Sequence, residues 1–366
     1  MSVGVLGGGQ LGRMLGLAGV PLGETFRFLE PAKDPCASAV GEVLVGAWDD
    51  EARLAELAAS STVVTYEFEN VPVASARFLE ARVPVFPPSR ALEASQDRLV
   101  EKTFFQRLGI PTPRFAPVGD RAELEAAVLA IGLPAVLKTR RLGYDGKGQW
   151  VLRTPEDVVA LPAGAFAAPL ILEGFVAFQR ELSILAVRGR SGEVACYPLV
   201  ENVHAAGILR RSTPRSAAWT PELQARAEAH AHRVLEELGY VGVLAIELFH
   251  VDGELVVNEM APRVHNSGHW TIEGAETSQF ENHVRAVLGL PLGSTAMVGV
   301  SAMLNVLGAM PSRAAVLAIP GAHLHDYGKA PAPNRKIGHV TVRAANASEL
   351  EARVAAVEAT IAAATA

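Results

Sequence analysis

The sequence predicts a protein of mixed α/β and α+β class, with a doubly wound parallel sheet at its N-terminus and β-rich parts after it. In the first 90 residues, short apolar runs alternate with helix-like segments, as in parallel sheets joined by crossover helices. Beyond that point, apolar runs follow one another across glycine-rich turns, which indicates antiparallel pairing. The length of 366 residues exceeds that of one ordinary domain. We therefore predict three domains, over residues 1–90, 91–295 and 296–366.

The elements of the first domain follow from apolar runs that glycine and proline interrupt. The predicted strands are Val3–Leu6, Phe26–Leu29, Val43–Val45, Val63–Tyr66 and Val83–Phe86, and the predicted helices are a segment from Leu11, Glu51–Ala59 and Ala74–Ala81. Pro87 and Pro88 end this unit, because proline has no N–H group to donate. Ser95 is then expected to be the N-cap of a helix that ends at Gly109.

The central and C-terminal domains contain more strands and two long helices. The predicted strands are Ala135–Thr139, Gln149–Leu152, Leu170–Glu173, Glu181–Val187, Ala195–Leu199, Val243–Phe249, Glu254–Met260, Ala315–Ile319 and His339–Arg343. The predicted helices are Pro221–Leu238 and an alanine-rich segment from Ala347. Asp252 and Gly253, between two strands, predict a tight hairpin turn.

Composition and charge exclude several classes of protein. A hydrophobic content of 49% with 20% charged residues is typical of a packed protein rather than a disordered one. The net charge of −6 argues against nucleic acid as a partner. No apolar stretch approaches the ~20 residues that span a membrane, and the start of the sequence lacks a signal-peptide pattern. Cys36 and Cys196 lie far apart, so we expect neither disulfides nor structural zinc and predict a cytoplasmic protein.

A glycine-rich loop follows the first predicted strand. Gly7, Gly9 and Gly12 satisfy the pattern G-x-G-x-x-G between a strand and a helix, where free N–H groups and the helix dipole favour an anion. Glu30, at the end of the second strand, lies where a dinucleotide site has its ribose-binding carboxylate. The same loop suits a different phosphorylated ligand or a plain tight turn, and the motif alone does not separate these interpretations.

A second glycine-rich loop, over residues 143–149, follows the predicted strand that carries Lys138. Its glycines predict a flap whose N–H groups close over phosphates. Most basic residues in this chain are arginines, so a position that keeps lysine suggests a need for a compact charge. The lysines in segments with other chemical signals are Lys102, Lys138, Lys147, Lys329 and Lys336.

Two acidic residues interrupt the apolar hairpin around Asp252 and Gly253. If the hairpin loop has three residues, Glu247 lies directly opposite Glu259, with Cβ atoms about 5 Å apart. If the loop has two residues, Glu247 faces Asn258 and Glu259 turns to the other side. The sequence does not decide between these registers. Facing carboxylates repel each other unless a cation neutralises them, and Mg²⁺ with nucleotide phosphates suits such oxygen ligands.

Residues 261–270 predict an anion-handling loop. Arg263, His265, Asn266 and His269 lie close together there without helical spacing. Zinc binding by the two histidines is not expected, because the sequence offers no third ligand nearby.

Four segments carry a resemblance to a known family: Gly7–Leu15, Tyr66–Asn70, Gly143–Gln149 and Asn258–Trp270. They resemble the ATP-grasp superfamily and, within it, the N5-carboxyaminoimidazole ribonucleotide synthetases of purine biosynthesis. The resemblance extends over nearly the whole chain and implies a preATP-grasp domain, an ATP-grasp domain and a small β-rich C-terminal domain. That family uses ATP and Mg²⁺ to join bicarbonate to 5-aminoimidazole ribonucleotide through carboxyphosphate, releasing ADP and phosphate. Its members are typically homodimers.

The resemblance implies a role for each matching residue. ATP is expected to bind Arg98, Lys138, Gly143, Tyr144, Asp145, Gly146, Lys147, Gly148, Gln149, Glu173, Gly174, Phe175, Val176, Glu181, His204, Asn258 and Glu259. Mg²⁺ is expected at Glu247 and Glu259. The ribonucleotide is expected to contact Gln10, Glu67, Tyr144, Asp145, Lys147, Lys329, Arg335 and Lys336. The residues expected to be catalytic are Lys147, Arg263, His265 and Asn266, of which the last three are expected to steady the carboxyphosphate.

One stretch departs from the family pattern. The family's phosphate-binding sequence Arg-Pro-Gly-Arg-Lys is replaced here by Ala332, Pro333, Asn334, Arg335 and Lys336. The first arginine is absent and asparagine replaces glycine, so only Arg335 and Lys336 remain as expected phosphate ligands.

Three other functions fit parts of the sequence. A formate-dependent glycinamide ribonucleotide transformylase shares the ATP-grasp features and differs in the acid that it activates. A nicotinamide-dependent oxidoreductase uses the N-terminal glycine loop but leaves the carboxylate hairpin and the lysines without a role. A non-catalytic nucleotide-binding protein is disfavoured because Glu247, Glu259 and Lys138 are all present.

Overall fold

The computed structural model of the protein describes residues 2–143 and 148–364. Its N-terminal part is a four-stranded parallel sheet in the order β3-β2-β1-β4, with helices as crossovers, which confirms the doubly wound prediction. The strands are β1 (Ser2–Leu6), β2 (Thr25–Glu30), β3 (Glu42–Val45) and β4 (Val63–Tyr66). The helices are α1 (Gln10–Gly19), α2 (Glu51–Ala59) and α3 (Val73–Glu80), with short 3₁₀ helices at Val20–Leu22 and Cys36–Ala39.

The predicted fifth strand at Val83–Phe86 is wrong. Only Val85 pairs with the sheet, through a single parallel bridge to Val64. Pro84 and Pro87 lack the N–H groups that a longer ladder needs, so the pairing ends after one bridge.

The predicted N-cap at Ser95 is also wrong. Two helices occupy this segment, α4 (Ser89–Ser95) and α5 (Arg98–Arg107). The Asp97 carboxylate caps α5 by accepting a hydrogen bond from the Leu99 N–H at 3.0 Å. The Ser95 hydroxyl instead donates to the carbonyl of Leu92 within α4. Ser95 is therefore the last residue of α4 and not the N-cap of α5.

A small antiparallel sheet follows, in the order β5-β8-β6-β7. Its strands are β5 (Phe115–Val118), β6 (Ala135–Thr139), β7 (Gln149–Leu152) and β8 (Leu170–Gly174), and α6 (Arg121–Ile131), α7 (Pro155–Val159) and a 3₁₀ helix at Ala163–Ala167 accompany it. Lys138 on β6 pairs with Gln149 on β7, so the two stems of the predicted phosphate flap are adjacent strands.

A nine-stranded antiparallel sheet runs through the rest of the described chain. Eight strands follow the order β14-β13-β9-β11-β12-β15-β17-β16, and β10 pairs with β9. The strands are β9 (Arg180–Arg188), β10 (Val194–Cys196), β11 (Val200–Ala205), β12 (Ile208–Pro214), β13 (Gly242–Val251), β14 (Glu254–Ala261), β15 (Val300–Leu307), β16 (Ala322–Asp326) and β17 (Lys336–Ala344). The helices are α8 (Pro221–Glu237), α9 (Thr271–Gly274), α10 (Gln279–Leu288), α11 (Arg313–Leu317) and α12 (Ala347–Ala363), and a 3₁₀ helix covers Asn266–Gly268.

Two strand predictions in this region need correction. The segment Ala315–Ile319 begins in helix α11, whose N-terminus the Ser312 hydroxyl caps, because the alanines here favour a helix once it is capped. The predicted strand over 195–199 ends early, since β10 stops at Cys196 and β11 begins only at Val200.

The N-terminal sheet packs on the large sheet through α1 and α10. Leu15 of α1 and Phe280 of α10 share one buried core with Trp270. Across the same boundary, Thr65 Oγ1 lies 2.8 Å from His283 Nε2. These contacts hold the carboxyl end of the parallel sheet opposite the β13–β14 hairpin. No helix in the described part of the chain is long and apolar enough to cross a membrane.

Candidate active site

A cavity of about 1190 Å³ lies where the N-terminal sheet, the small sheet and the large sheet meet. Most of the predicted site residues line this one cavity: Gln10, Glu67, Arg98, Lys138, Gly143, Gln149, Phe175, Glu181, His204, Glu247, Asn258, Glu259, Arg263, His265, Asn266, Lys329, Arg335 and Lys336. The cavity lining does not include Gly148, Glu173, Gly174 and Val176. Four predicted site residues lie outside the described part of the chain: Tyr144, Asp145, Gly146 and Lys147.

The register of the carboxylate hairpin combines features of both alternatives. Val251 pairs with Glu254, so the loop has only two residues. The register then shifts by one residue at Asn258, and Glu247 lies opposite Glu259 all the same. Strand β13 pairs regularly with β9 on its other side, so the extra residue belongs to β14 alone. A β-bulge therefore brings the two carboxylates face to face.

Arg98 holds one of these carboxylates. Its Nη1 lies 2.5 Å from Glu259 Oε2. Burial alone raises the pKa of Glu259, but the charge and hydrogen bond of Arg98 outweigh burial and lower that pKa to about 2. The other carboxylate, Glu247, lies 3.1 Å from His265 Nε2. Each acidic residue thus has its own cationic or titratable neighbour within the cavity.

A buried ion cluster lies behind the carboxylates. Lys138 Nζ is 2.9 Å from Glu173 Oε2 and 3.5 Å from Asn258 Oδ1. Glu173 is only 2% exposed and lies 3.5 Å from Lys102 Nζ. Burial raises the pKa of Glu173, but the two lysines more than offset this and lower it. Glu173 therefore orients Lys138 at the cavity wall from behind and does not itself line the cavity.

Another part of the cavity wall offers an apolar surface and a polar pair. Glu181 Oε2 lies 2.6 Å from His204 Nδ1. Burial lowers the pKa of His204, but the adjacent carboxylate overrides burial and raises it. Phe178 and Phe249 stack with ring centroids 4.7 Å apart and planes inclined by 8°. This wall has the chemistry to contact a planar base and the hydroxyl groups of a ribose.

The N-terminal glycine loop has its N–H groups already occupied. The Glu67 carboxylate accepts hydrogen bonds from the N–H groups of Gly9 and Gly12, and Glu30 accepts one from Gly8 at 2.9 Å. A Cβ atom at Gly7 would lie 2.6 Å from the side chain of Glu67, so glycine is needed to admit the carboxylate. Because two carboxylates fill the cradle that a pyrophosphate needs, the structure argues against a dinucleotide site here.

The predicted anion-handling loop is held by neighbouring side chains. Arg263 Nε forms an ion pair with Glu69. Asn266 and Asn305 form a reciprocal amide pair, with N···O distances of 3.0 and 2.6 Å. His265 Nδ1 lies 2.9 Å from the hydroxyl oxygen of Ser267. These contacts hold the side chains of Arg263, His265 and Asn266 at the cavity wall.

The segment with the predicted phosphate ligands Lys329, Arg335 and Lys336 reaches the N-terminal part of the cavity. Lys329 Nζ contacts the Gln10 side-chain oxygen, and burial lowers the pKa of Lys329. Asn334, which replaces the family's glycine, has φ of 60°. Asparagine tolerates this left-handed conformation better than most residues, so the replacement keeps the turn that presents Arg335 and Lys336.

Several residues at or behind the cavity were not predicted from the sequence. They are Trp48, Phe68, Glu69, Phe178, Phe249, Glu101 and Lys102. Because lysine is scarce in this chain, the sequence analysis singled out Lys102, but it did not predict what Lys102 does. The aromatic residues carried no signal, because their spacing does not distinguish a cavity wall from a buried core.

Three family profiles match successive parts of the chain. They are the ribonucleotide synthetase preATP-grasp domain over residues 1–96, the ATP-grasp domain over 103–280, and the phosphoribosylaminoimidazole carboxylase C-terminal domain over 301–353. Their order is the one that the resemblance implies.

Whole-chain comparisons agree with the domain matches. The N5-carboxyaminoimidazole ribonucleotide synthase of Pseudomonas aeruginosa is 58% identical over 361 residues, which cover 99% of each chain. The crystal structure of the synthetase from Thermus thermophilus is 58% identical and superposes with a TM-score of 0.94, covering 98% of each chain. The Aspergillus clavatus synthase in complex with ADP and 5-aminoimidazole ribonucleotide is 30% identical, with a TM-score of 0.92 over 99% of this chain and 98% of that one. This protein therefore belongs to the N5-carboxyaminoimidazole ribonucleotide synthase family of ATP-grasp enzymes.

Proposed function

We propose that the protein catalyses the ATP-dependent carboxylation of 5-aminoimidazole ribonucleotide by bicarbonate, giving N5-carboxyaminoimidazole ribonucleotide, ADP and phosphate. The observation that carries this proposal is the single cavity. It joins the stems of the glycine flap, the facing carboxylates, the loop of Arg263 and the C-terminal lysines. A transformylase that activates formate is not favoured, because the similar proteins carry the synthase name.

Nucleotide binding is assigned to the small sheet and the adjoining edge of the large sheet. Lys138 and Arg98 would contact the phosphates, and the flap whose stem includes Gln149 would cover them. Glu181 and His204 would bind the ribose, while the backbone after β8, including Phe175, would contact the adenine. Gly148, Gly174 and Val176 lie beside this region and would contribute through their backbone positions.

The facing carboxylates fit a magnesium ion. Glu247 and Glu259 offer hard oxygen ligands, which Mg²⁺ prefers, and Asn258 adds an amide oxygen. The described residues contain no group of three or more His, Cys, Asp or Glu side chains that forms a closed metal cage. When bound, Mg²⁺ neutralises the charge of the phosphates.

The ribonucleotide is assigned to the carboxyl end of the N-terminal sheet. Lys329, Arg335 and Lys336 would hold its phosphate, and Gln10 and Glu67 would contact the remainder of the molecule. Tyr144, Asp145 and Lys147 are proposed to act from the flap, on the family resemblance alone.

The proposed reaction has two steps, phosphoryl transfer to bicarbonate and carboxylation of the amine. A bicarbonate oxygen attacks the γ-phosphorus of ATP as the bond to the bridging oxygen of ADP breaks, giving carboxyphosphate. The amine nitrogen then bonds to the carboxyl carbon. It does so either in carboxyphosphate, as the bond from that carbon to the phosphate oxygen breaks, or in CO₂ after phosphate has left, and in both cases the phosphate accepts the proton that the amine loses. Arg263, His265 and Asn266 would hold the anionic intermediate, and the closed flap would exclude water from it.

The proposal also covers domain bounds, compartment and oligomeric state. We assign domains to residues 1–90, 91–295 and 296–366, although β12 and β15 continue one sheet across the second boundary. We propose a cytoplasmic enzyme, which the unpaired Cys36 and Cys196 support. We propose a homodimer on the resemblance alone. Size-exclusion chromatography with light scattering, which measures the molar mass in solution, tests this proposal. Nucleic acid and membranes are not proposed as partners.

The experiment that tests the function measures ADP release and the fate of labelled bicarbonate. With ATP and Mg²⁺, we expect ADP release that depends on 5-aminoimidazole ribonucleotide, and label in an acid-labile product. Formate in place of bicarbonate is expected to give no product. Folded protein that binds ATP but releases no ADP under these conditions would contradict the proposed substrate.

A further inference from the structure

We infer that Glu101 and Lys102 on α5 are positioning residues that hold the β-bulge at Asn258 and thereby keep Glu247 opposite Glu259. This inference rests on the proposed function only in taking these carboxylates as the metal ligands. Neither Glu101 nor Lys102 lines the main cavity, so their contribution would act through β14.

Around the bulge, strand β14 has backbone groups that find their partners outside the sheet. Strand β14 is the edge of the large sheet, with β13 on its only paired side. The outward groups of an edge strand need partners when they are buried. The Val257 N–H finds one in the carbonyl of Pro111, at 2.8 Å.

Helix α5 supplies the other partners around the bulge. Lys102 Nζ donates to the carbonyl of Val257 at 3.3 Å and to the carbonyl of Asn258. The Glu101 carboxylate accepts a hydrogen bond from the Met260 N–H at 2.8 Å. The two side chains therefore bind the backbone immediately before and after Glu259.

A third residue of α5 completes one face of that helix. Arg98 precedes Glu101 and Lys102 by three and four positions, a spacing that places all three side chains on the same side of a helix. Arg98 contacts the side chain of Glu259, while the other two contact the backbone around it. One helix face thus binds four consecutive residues of β14.

Burial makes the lysine contact costly to lose. Lys102 is 0% exposed, and its charge lies 3.5 Å from the buried carboxylate of Glu173. Without Nζ, the buried carbonyl of Val257 and the partly buried carbonyl of Asn258 would lose this donor. A two-residue hairpin loop with no bulge would place Asn258 opposite Glu247 and turn Glu259 to the other face.

The apolar pattern of β14 shows that the bulge is built into the strand. Leu255, Val257 and Met260 belong to one buried core. Regular alternation would place residues 255, 257 and 259 on one face, so the shift to Met260 requires one extra residue. Apolar packing thus permits the bulge, and the α5 side chains satisfy its polar groups.

The test uses Mn²⁺ as the probe and ADP as the nucleotide, so that it does not depend on turnover. In Lys102→Met, we expect the affinity for Mn²⁺ in the presence of ADP to fall about 10-fold or more. ADP affinity in EDTA should change much less. Lys33→Met is the matched control, because Lys33 is exposed and belongs to the N-terminal domain, and it should leave both affinities unchanged.

Two outcomes would overturn the inference. One is folded Lys102→Met protein with wild-type Mn²⁺ affinity. The other is an equal loss of Mn²⁺ binding and metal-free ADP binding, which would indicate a general effect on the cavity. If Lys102→Met does not fold, Glu101→Met removes the acceptor for the Met260 N–H alone, and unchanged Mn²⁺ affinity there would overturn the inference too. Failure of the proposed carboxylation would leave all these measurements interpretable, because none of them uses bicarbonate or the ribonucleotide.

Discussion

Replacing Glu259 with glutamine tests the electrostatics of the cavity and its chemistry in one variant. The substitution keeps the size of the side chain but removes the charge that faces Arg98 at 2.5 Å. A shift of the Glu259 pKa from 4.5 to about 2 corresponds to about 3 kcal/mol at most. The Glu259 side chain is 36% exposed, so solvent screening reduces this value to about 1–2 kcal/mol.

The sign of the pH dependence follows from the direction of that shift. Because folding lowers the pKa of Glu259, the stabilisation is fully present above the unfolded-state pKa near 4.5. It is lost as the pH falls from there toward about 2. We therefore expect Glu259→Gln to lower the free energy of unfolding by about 1–2 kcal/mol at pH 7. The difference from the wild type should shrink at acid pH.

The assays are urea denaturation of the ligand-free protein and ribonucleotide-dependent ADP release. Loss of a metal ligand removes several kcal/mol of charge stabilisation, so ADP release is expected to fall about 100-fold or more. Glu254→Gln is the matched control, since Glu254 lies on the same strand and pairs with Arg226 at the surface. Wild-type ADP release by folded Glu259→Gln protein would refute the assignment of this carboxylate.

Three further predictions follow from other parts of the structure. Asp97→Asn weakens the paired hydrogen bonds from Arg140 at 2.9 and 2.8 Å, so the free energy of unfolding should fall by about 2 kcal/mol; an unchanged urea midpoint would contradict this. Asn334→Ala places alanine at φ of 60° and should cost about 1 kcal/mol in the same assay, whereas Asn334→Gly should cost nothing. Removal of divalent cations with EDTA should stop ADP release and added Mg²⁺ should restore it, and turnover that continues in excess EDTA would count against the metal site.

The sequence predicted the elements with strong local patterns. Helix α2 has the predicted bounds, and the first four predicted strands form the predicted parallel sheet. The errors arose where a local sequence pattern was compatible with two different structures. Prolines beside Val85 limited a strand to one bridge, and Asp97 rather than Ser95 capped α5.

The candidate site shows a different limit of sequence-based prediction. Residue types and motifs indicated the cavity-lining side chains, but not the register of the β13–β14 hairpin. That register depends on the extra residue at Asn258 and on contacts from α5, more than 150 positions away in the sequence. The glycine loop likewise suited a dinucleotide until the structure placed the Glu67 carboxylate on its N–H groups.

The most direct test of the central claim follows oxygen-18 from labelled bicarbonate during a single turnover with ATP, Mg²⁺ and 5-aminoimidazole ribonucleotide. If a bicarbonate oxygen attacks the γ-phosphorus, one labelled oxygen must appear in the released inorganic phosphate. We expect that transfer in step with ADP formation. Unlabelled phosphate, formed together with ADP and product, would contradict carboxyphosphate formation in this cavity.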